Sequence, residues 1–302
     1  MQKIRLILNQ NCQYNCIFCH KENIHYRNQS KSLNAQDYAF FVRTAKQLGF
    51  NIIALTGGEP LLREDILDII KAIAKTKCKL QITTNGILLN KLNKINCIDH
   101  INVSLHTLDK NVYNQITNSN KDPMNILKYI KEFKSINSTA LKINMLALKT
   151  LTLNKDNLSK MIDICKQLGI ELKIIELLNH KSSLYFPYKD IQAQLQKLGY
   201  QSLRDYRGGQ VLINSTSKVI IQRCLCNYIK GRDDSDSYCQ KYNDLFLTPD
   251  GQINYCRYKE PLNAYDFIKS RDKKQLKNLI EKSITLTNQC PLKTDIKKQI
   301  LT

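Results

Sequence analysis

The sequence has no tryptophan, four methionines, ten glycines and six prolines among 302 residues. So little glycine and proline is foreign to collagen-like and low-complexity chains, and no internal repeat beyond a strand–helix alternation is visible. Long apolar runs are missing too: none approaches the roughly 18 residues of a membrane-crossing helix. Gln2, Lys3 and Arg5 interrupt the N-terminus where a secretory signal keeps an apolar core. These absences predict a cytoplasmic globular chain with no membrane partner. Acidic residues are also scarce. Only 26 Asp and Glu oppose 46 Lys and Arg, a net charge of +20. That excess favours anionic partners such as nucleotides, nucleic acids, acidic peptides or an acidic electron donor. The cations are spread along the chain rather than gathered in a block, so charge alone selects none of these.

Cysteine is what the chain has in quantity, 11 in all. In a cytoplasmic setting so many thiols point to metal or redox chemistry rather than to disulfides. Cys78, Cys97 and Cys165 lie singly in apolar surroundings and read as core. Cys12, Cys16 and Cys19 instead share one short loop after the apolar strand Ile4–Leu8. Such a loop can point three sulfurs at one compact inorganic centre, and thiolates select zinc or iron–sulfur clusters. Three protein ligands would leave one metal position open for chemistry. On this stretch alone, zinc and buried thiols stand level with a cluster. Four further cysteines, Cys224, Cys226, Cys239 and Cys256, fall close together near the C-terminal end, with Cys290 beyond them.

Hydrophobic periodicity supplies the frame between these groups. Helical spacing runs over 33–48, 63–75, 109–116, 123–133 and 156–168, and strands are expected at 52–55, 78–84, 101–105, 141–148 and 171–177. Strand and helix thus alternate six times in about 175 residues, the mark of parallel βαβ units. Six units fall short of the eight that close a barrel, so the expected fold class is α/β, a three-quarter barrel open on one side. The pattern changes after residue 180: a short helix near 191–198, Gly208-Gly209, and a hairpin around Pro249-Asp250-Gly251 that brings Cys239 and Cys256 together. The expected domains are therefore 1–180 and 181–302. In parallel sheets functional residues gather beyond the carboxyl ends of the strands. Cys12–Cys19, Gly57–Glu59, Asn85 and Ser104 all fall there. Gly57 and Gly58 would let the backbone approach a ligand closely, and the Glu59 carboxylate would accept bonds from an amino group.

The cysteine loop followed one βα unit later by Thr56-Gly-Gly-Glu-Pro60 resembles the radical S-adenosylmethionine (SAM) superfamily. Within it, several stretches resemble the GTP 3′,8-cyclases of molybdenum-cofactor biosynthesis (MoaA): Thr56–Asp65, Thr83–Leu89, Asn102–Leu105, Lys142–Met145, Ile175-Glu176 and Leu247–Gly251. They follow in family order and span nearly the whole chain. The resemblance implies a partial (βα)6 barrel and a small C-terminal twitch-like region with a second, auxiliary [4Fe–4S] cluster. It further implies a first [4Fe–4S] cluster on Cys12, Cys16 and Cys19 whose open iron chelates SAM. One electron from a reductant such as flavodoxin or ferredoxin then cleaves SAM, and the 5′-deoxyadenosyl radical abstracts hydrogen from substrate. Gly57, Gly58 and Glu59 would hold the methionine amino end of SAM, with Asn85 and Ser104 on the rest. Arg5, Lys142 and Lys173 stand where the cyclases keep cations for the triphosphate.

Two departures redirect the substrate expectation. Where the cyclases carry an Asn-Arg-x-Arg stretch, this chain reads Asn243-Asp244-Leu245-Phe246, and it ends in Gln299–Thr302 rather than Gly-Gly. Loss of both arginines removes bidentate phosphate donors, and one replacement is an anion. The expected substrate is anionic and nucleotide-derived, but not GTP. A precursor peptide is the second reading, although no residues are left for a leader-binding domain, and true GTP cyclisation is the third. The middle auxiliary-cluster ligand falls on Tyr242, so Cys224 or Cys226 would have to join Cys239 and Cys256. A zinc-bound nucleic-acid-binding protein would account for charge and thiols but leaves the Gly-Gly-Glu-Pro turn and the βα repeat unexplained.

Overall fold

The computed structural model describes residues 2–19, 31–178, 182–206, 208–224, 244–256 and 259–287. The expectations for Cys226, Cys239, Tyr242, Asn243 and Cys290 lie outside these residues. The six expected βα strands form as β1 (Gln2–Ile7), β2 (Phe50–Thr56), β3 (Lys79–Thr84), β4 (His100–Ser104), β5 (Ala140–Ala147) and β6 (Glu171–Glu176), each parallel to the next. The helices between them are α1 (Ala35–Lys46), α2 (Ile66–Ala74), α3 (Lys110–Thr117), α4 (Pro123–Ile136) and α5 (Lys155–Gln167). Local chemistry starts them where the sequence signals a cap. Asn34 and Asp37 exchange side-chain bonds in a capping box at α1, and Pro123 opens α4 behind the Asp122 cap.

The sheet extends beyond the six strands at both edges. After α6 (Tyr188–Lys197) come β7 (Gln201–Tyr206), β8 (Gly209–Ile213) and β9 (Lys218–Gln222), of which β9 adds parallel to β6. On the opposite edge β10 (Leu245–Leu247) adds parallel to β1, and β11 (Gln252–Asn254) and β12 (Leu262–Asn263) follow it antiparallel. The result is one twelve-stranded open sheet, β12-β11-β10-β1-β2-β3-β4-β5-β6-β9-β8-β7. Strands from both sides of residue 180 share it. The Pro249-Asp250-Gly251 turn joins β10 to β11 as expected; Gly251 takes φ +77° and donates its N–H to Thr248 O. Two closing helices, α7 (Tyr265–Lys269) and α8 (Lys273–Thr287), return to α1, where buried Asp37 meets Lys269 Nζ at 2.7 Å and Arg271 Nη1 at 2.9 Å. No helix among the described residues is long and apolar enough to cross a membrane.

Alternation along the barrel strands decides what the sheet can do. Ile4 and Leu6, Ile53 and Leu55, Leu80 and Ile82, Ile101 and Val103, Ile143 and Met145, and Leu172 and Ile174 are wholly buried in the core. On five of these strands the alternate residues are polar and half-buried: Lys3, Arg5, Gln81, Thr83, His100, Asn102, Ser104, Asn144, Glu171 and Lys173; β2 instead places buried Ala54 there. Successive strand residues point to opposite faces, so the second set lines the concave inner face. A closed barrel of this type fills its interior with branched apolar side chains; this one keeps a polar interior.

Candidate active site

The turn after β2 is built against the chain's own cysteine loop. Gly57 lies at φ +151°, and a Cβ there would sit 2.7 Å from Asn9 O; one on Gly58 would sit 2.2 Å from Asn11 O. The close approach expected toward a ligand is thus spent on Asn9–Asn11, because backbone bonds from Gly58 N to Asn9 O (2.9 Å) and from Glu59 N to Asn11 O (2.7 Å) hold the two segments together. The Glu59 carboxylate, expected to receive the amino end of SAM, is also bonded within the protein. It is fully buried, and it accepts from Leu61 N at 3.0 Å, Thr84 Oγ1 at 2.7 Å and Asn85 N at 2.7 Å. Those three donors occupy it within the protein, so it fastens the turn to the end of β3.

Asn85, anchored in this way, reaches the thiols. Its amide donates to Gln13 Oε1 at 2.9 Å and to Cys12 Sγ at 3.8 Å, while Tyr14 N donates to the same sulfur at 3.4 Å. The far side of the loop is tied to α3: Asn15 N and Ile17 N donate to Thr117 O and Ile116 O. Tyr14 packs edge-on against Tyr113 and accepts its hydroxyl proton at 2.8 Å. Phe18 packs edge-on against buried His106, whose Nδ1 accepts from Leu146 N. Burial pushes His106 down to about 4, which keeps the ring neutral and fixes its remaining proton on Nε2. Burial raises the Cys16 thiol to about 12, and Cys19 and Cys12 push it the same way. Cys12, Cys16 and Cys19 share one loop, and N–H groups already aim at the Cys12 sulfur. This thiol chemistry suits an iron–sulfur cluster, but as the loop stands no three metal-ligating side chains among the described residues are gathered around one point.

A second buried carboxylate works at the other end of the barrel mouth. Glu176, at the end of β6, accepts from Tyr185 Oη at 2.7 Å, Tyr188 N at 3.0 Å and Cys224 N at 2.7 Å. It therefore fixes Cys224 beyond the carboxyl end of β9. Cys256 leaves β11, which runs antiparallel to its neighbour β10, and so lies toward the opposite end of the strands.

The three expected substrate cations take different places on the inner face. Lys142 is buried, with Nζ 2.9 Å from Glu171 Oε2, and Lys218 closes on the other Glu171 oxygen. Lys142 and Lys173 share the Tyr206 ring, at 5.9 and 5.6 Å from its centre. Arg5 instead pairs with Asp244, Nε to Oδ2 2.8 Å, and stacks over Phe246 at 5.7 Å. Two of the three cations thus carry a carboxylate of the chain itself. Burial would raise Glu171, but the hydrogen bonds and charges of Lys218 and Lys142 outweigh it and hold its carboxyl at about 2. A carboxylate held so low stabilises the fold above its ordinary range near 4.5 and loses that effect as pH falls toward 2. Wild type should therefore exceed Glu171→Gln by about 2 kcal/mol at neutral pH, after allowance for partial exposure. Urea unfolding at stepped pH should show the gap closing below about pH 4.5; a gap independent of pH would refute the pairing.

Residues 6–162 match the Radical SAM superfamily model, and its span includes the whole cysteine loop and the Gly-Gly-Glu-Pro turn. The chain belongs to the radical SAM superfamily. Among curated relatives, the "Probable GTP 3′,8-cyclase" of Pyrobaculum aerophilum is 31% identical over 90% of this chain and 89% of its own. The protein of the same name from Methanocaldococcus jannaschii is 27% identical over 86% of each chain. Among solved structures, Streptococcus suis SuiB bound to S-adenosylmethionine superposes with TM-score 0.65 at 20% identity, covering 91% of this chain and 64% of SuiB. Native anSMEcpe with bound AdoMet gives TM-score 0.59 at 16% identity, over 96% and 86% of the two chains. These structures share the open barrel fold. Membership makes this a radical SAM enzyme and implies a [4Fe–4S] cluster working with SAM, in accord with the thiol loop.

Sequence reading missed Asn9, Asn11, Gln13 and His106, which hold the loop in place, and it met Glu176 in a matching segment without its bond to Cys224 N. A signal was available for the inner face. Lys79-Leu-Gln-Ile-Thr83, His100-Ile-Asn-Val-Ser104 and Lys142-Ile-Asn-Met145 alternate strictly, whereas strands buried on both faces read as continuous apolar runs.

Proposed function

We propose that this radical SAM enzyme abstracts hydrogen from an anionic, nucleotide-derived substrate other than GTP. The observation that carries this reading is the Arg5–Asp244 pair at 2.8 Å with Phe246 against the guanidinium. A triphosphate would have to displace Asp244 from Arg5 and Glu171 from Lys142, losing charge-assisted bonds as it gained them. A substrate with a smaller anionic group needs to displace fewer of these pairings. The curated relatives are named for GTP cyclisation, and this pair is where the chain argues for a different substrate.

When bound, the cluster and SAM supply the electron and the radical source for hydrogen abstraction. Cys12, Cys16 and Cys19 would hold the cluster, and Asn85 and Tyr14 N–H groups would steady the Cys12 thiolate. Asn85 and Ser104 would contact SAM, together with the Gly57–Glu59 backbone. The polar inner face receives substrate, while Tyr14 and Phe18 pack the loop against Tyr113 and His106. An auxiliary [4Fe–4S] cluster would draw on Cys226 and Cys239 with either Cys256 or Cys224, since these last two leave the sheet at opposite ends. An acidic one-electron donor such as flavodoxin or ferredoxin suits the +20 charge.

The test is to incubate the reduced, cluster-loaded enzyme with SAM and GTP and to search for the cyclised nucleotide by mass spectrometry. No such product is expected. Efficient turnover would sink the substrate reading and show that other cations serve the triphosphate.

A further inference from the structure

The hairpin after β10 brings to the inner face an amide that the fold leaves unanswered. Asn254 on β11 pairs in register with Phe246 on β10, and Phe246 pairs with Arg5 on β1. Residues in register on paired strands share a face, so amide, ring and guanidinium stand side by side. Ile253 and Tyr255 are buried on the opposite face and fix this register, since a one-residue slip would turn both outward. Asn254 Nδ2 is buried and has no hydrogen-bond partner among the described residues. An unmatched buried donor costs about as much stability as a lost hydrogen bond.

The wall around this amide is not built for a phosphate. Asp244 neutralises Arg5 at 2.8 Å, and the guanidinium lies over the Phe246 ring at 5.7 Å. The next residue in the row is the small Ala54 of β2, in register with Arg5. An aromatic surface without net charge, carrying one amide donor, matches a flat heterocycle. The bases of nucleotides are of that kind, with ring nitrogens and carbonyl oxygens as acceptors and a π-face that stacks on aromatic side chains.

We propose that Asn254 and Phe246 discriminate the substrate's base, which lies against the Phe246 ring while an acceptor on its edge takes the Asn254 N–H. The inference rests on the nucleotide reading above and adds which wall reads the base. Asn254 is then a specificity-determining residue. A base with an acceptor at that place gains a hydrogen bond, and one with an N–H there sets donor against donor. The anionic group of the same substrate is left to the cations elsewhere on the inner face.

Base and anion are separated by anaerobic titration calorimetry of the cluster-loaded, SAM-bound enzyme with AMP, CMP, GMP and UMP in turn, and with ribose 5-phosphate. At least one monophosphate should bind wild type more tightly than ribose 5-phosphate does. For that nucleotide Asn254→Leu should raise Kd about tenfold, the effect of one hydrogen bond removed from its partner. Phe246→Ala should raise it by about the same factor through lost stacking. Ribose 5-phosphate should bind both variants as it binds wild type. Equal nucleotide affinity in wild type and the leucine variant overturns the proposal, since a water would then serve the amide. An equal loss for ribose 5-phosphate overturns it too, by placing Asn254 on the anion. Should the leucine variant fail to fold, Asn254→Asp, which keeps the shape and removes the donor, is put through the same measurements, with a loss at least as large expected. If no monophosphate exceeds ribose 5-phosphate on wild type, the nucleotide reading falls as a whole; a variant matching a nucleotide-binding wild type overturns Asn254 alone.

Discussion

Replacing Cys12, Cys16 and Cys19 together by alanine is expected to remove about four irons per chain after anaerobic reconstitution, the content of one cubane cluster. SAM cleavage should fall to background. The expectation follows from geometry as well as motif. The loop is held at three points, by Asn9–Asn11 on the Gly-Gly-Glu-Pro turn, by Asn85 on Gln13 and Cys12, and by Ile116 and Thr117 on α3. Alanine removes the Asn85 and Tyr14 bonds to the Cys12 sulfur but leaves the other ties in place, so the variant should fold. Iron that persists in it reports the auxiliary cluster; one zinc and no iron would refute that second cluster. Undiminished SAM cleavage would reject the first assignment outright.

The next largest effect is expected at Glu59. Glu59→Ala leaves two backbone N–H groups and the Thr84 hydroxyl without their buried acceptor. Each donor left without a buried acceptor costs about 1–3 kcal/mol, so a net loss of about 3–5 kcal/mol is expected. At about 2.1 cal/mol/K of unfolding entropy per residue each kcal/mol lowers the melting temperature by about 1.5–2 °C, so a fall of roughly 5–10 °C is expected by differential scanning calorimetry. Glu59→Gln should fall less, since one oxygen survives, but its NH2 must face an N–H donor. A melting temperature unchanged in the alanine variant would mean that the carboxylate is not the fastener of the turn and would return it to the cofactor.

These two sites also show what the sequence could and could not convey. The thiol triplet, the six βα units and the Pro249-Asp250-Gly251 hairpin are local patterns, and the elements of the βα units appear within three residues of their expected bounds. The reach of Glu59 to Asn85 and of Arg5 to Asp244, 239 positions apart, depends on which strands become neighbours. No local pattern encodes that. The edge strand β7 was missed for a related reason. Gln201–Asp205 is exposed throughout, so it carries no apolar face for periodicity to detect. Asp244 was legible as a changed residue but not as a partner; its meaning arrived only when β10 came to lie along β1.

The polar lining of the barrel has a wider consequence. Along each strand every second position writes to the hydrophobic core and the others write to the cavity, so two messages are interleaved in one stretch of chain. A mutation at Gln81, Asn102 or Lys173 edits the second message while sparing the first, because its neighbours Ile82, Val103 and Ile174 stay packed. Such a scaffold can exchange one substrate for another through single inward substitutions at little risk to folding. Asp244, just before the added strand β10, and Phe246 within it stand beside Arg5 on that lining.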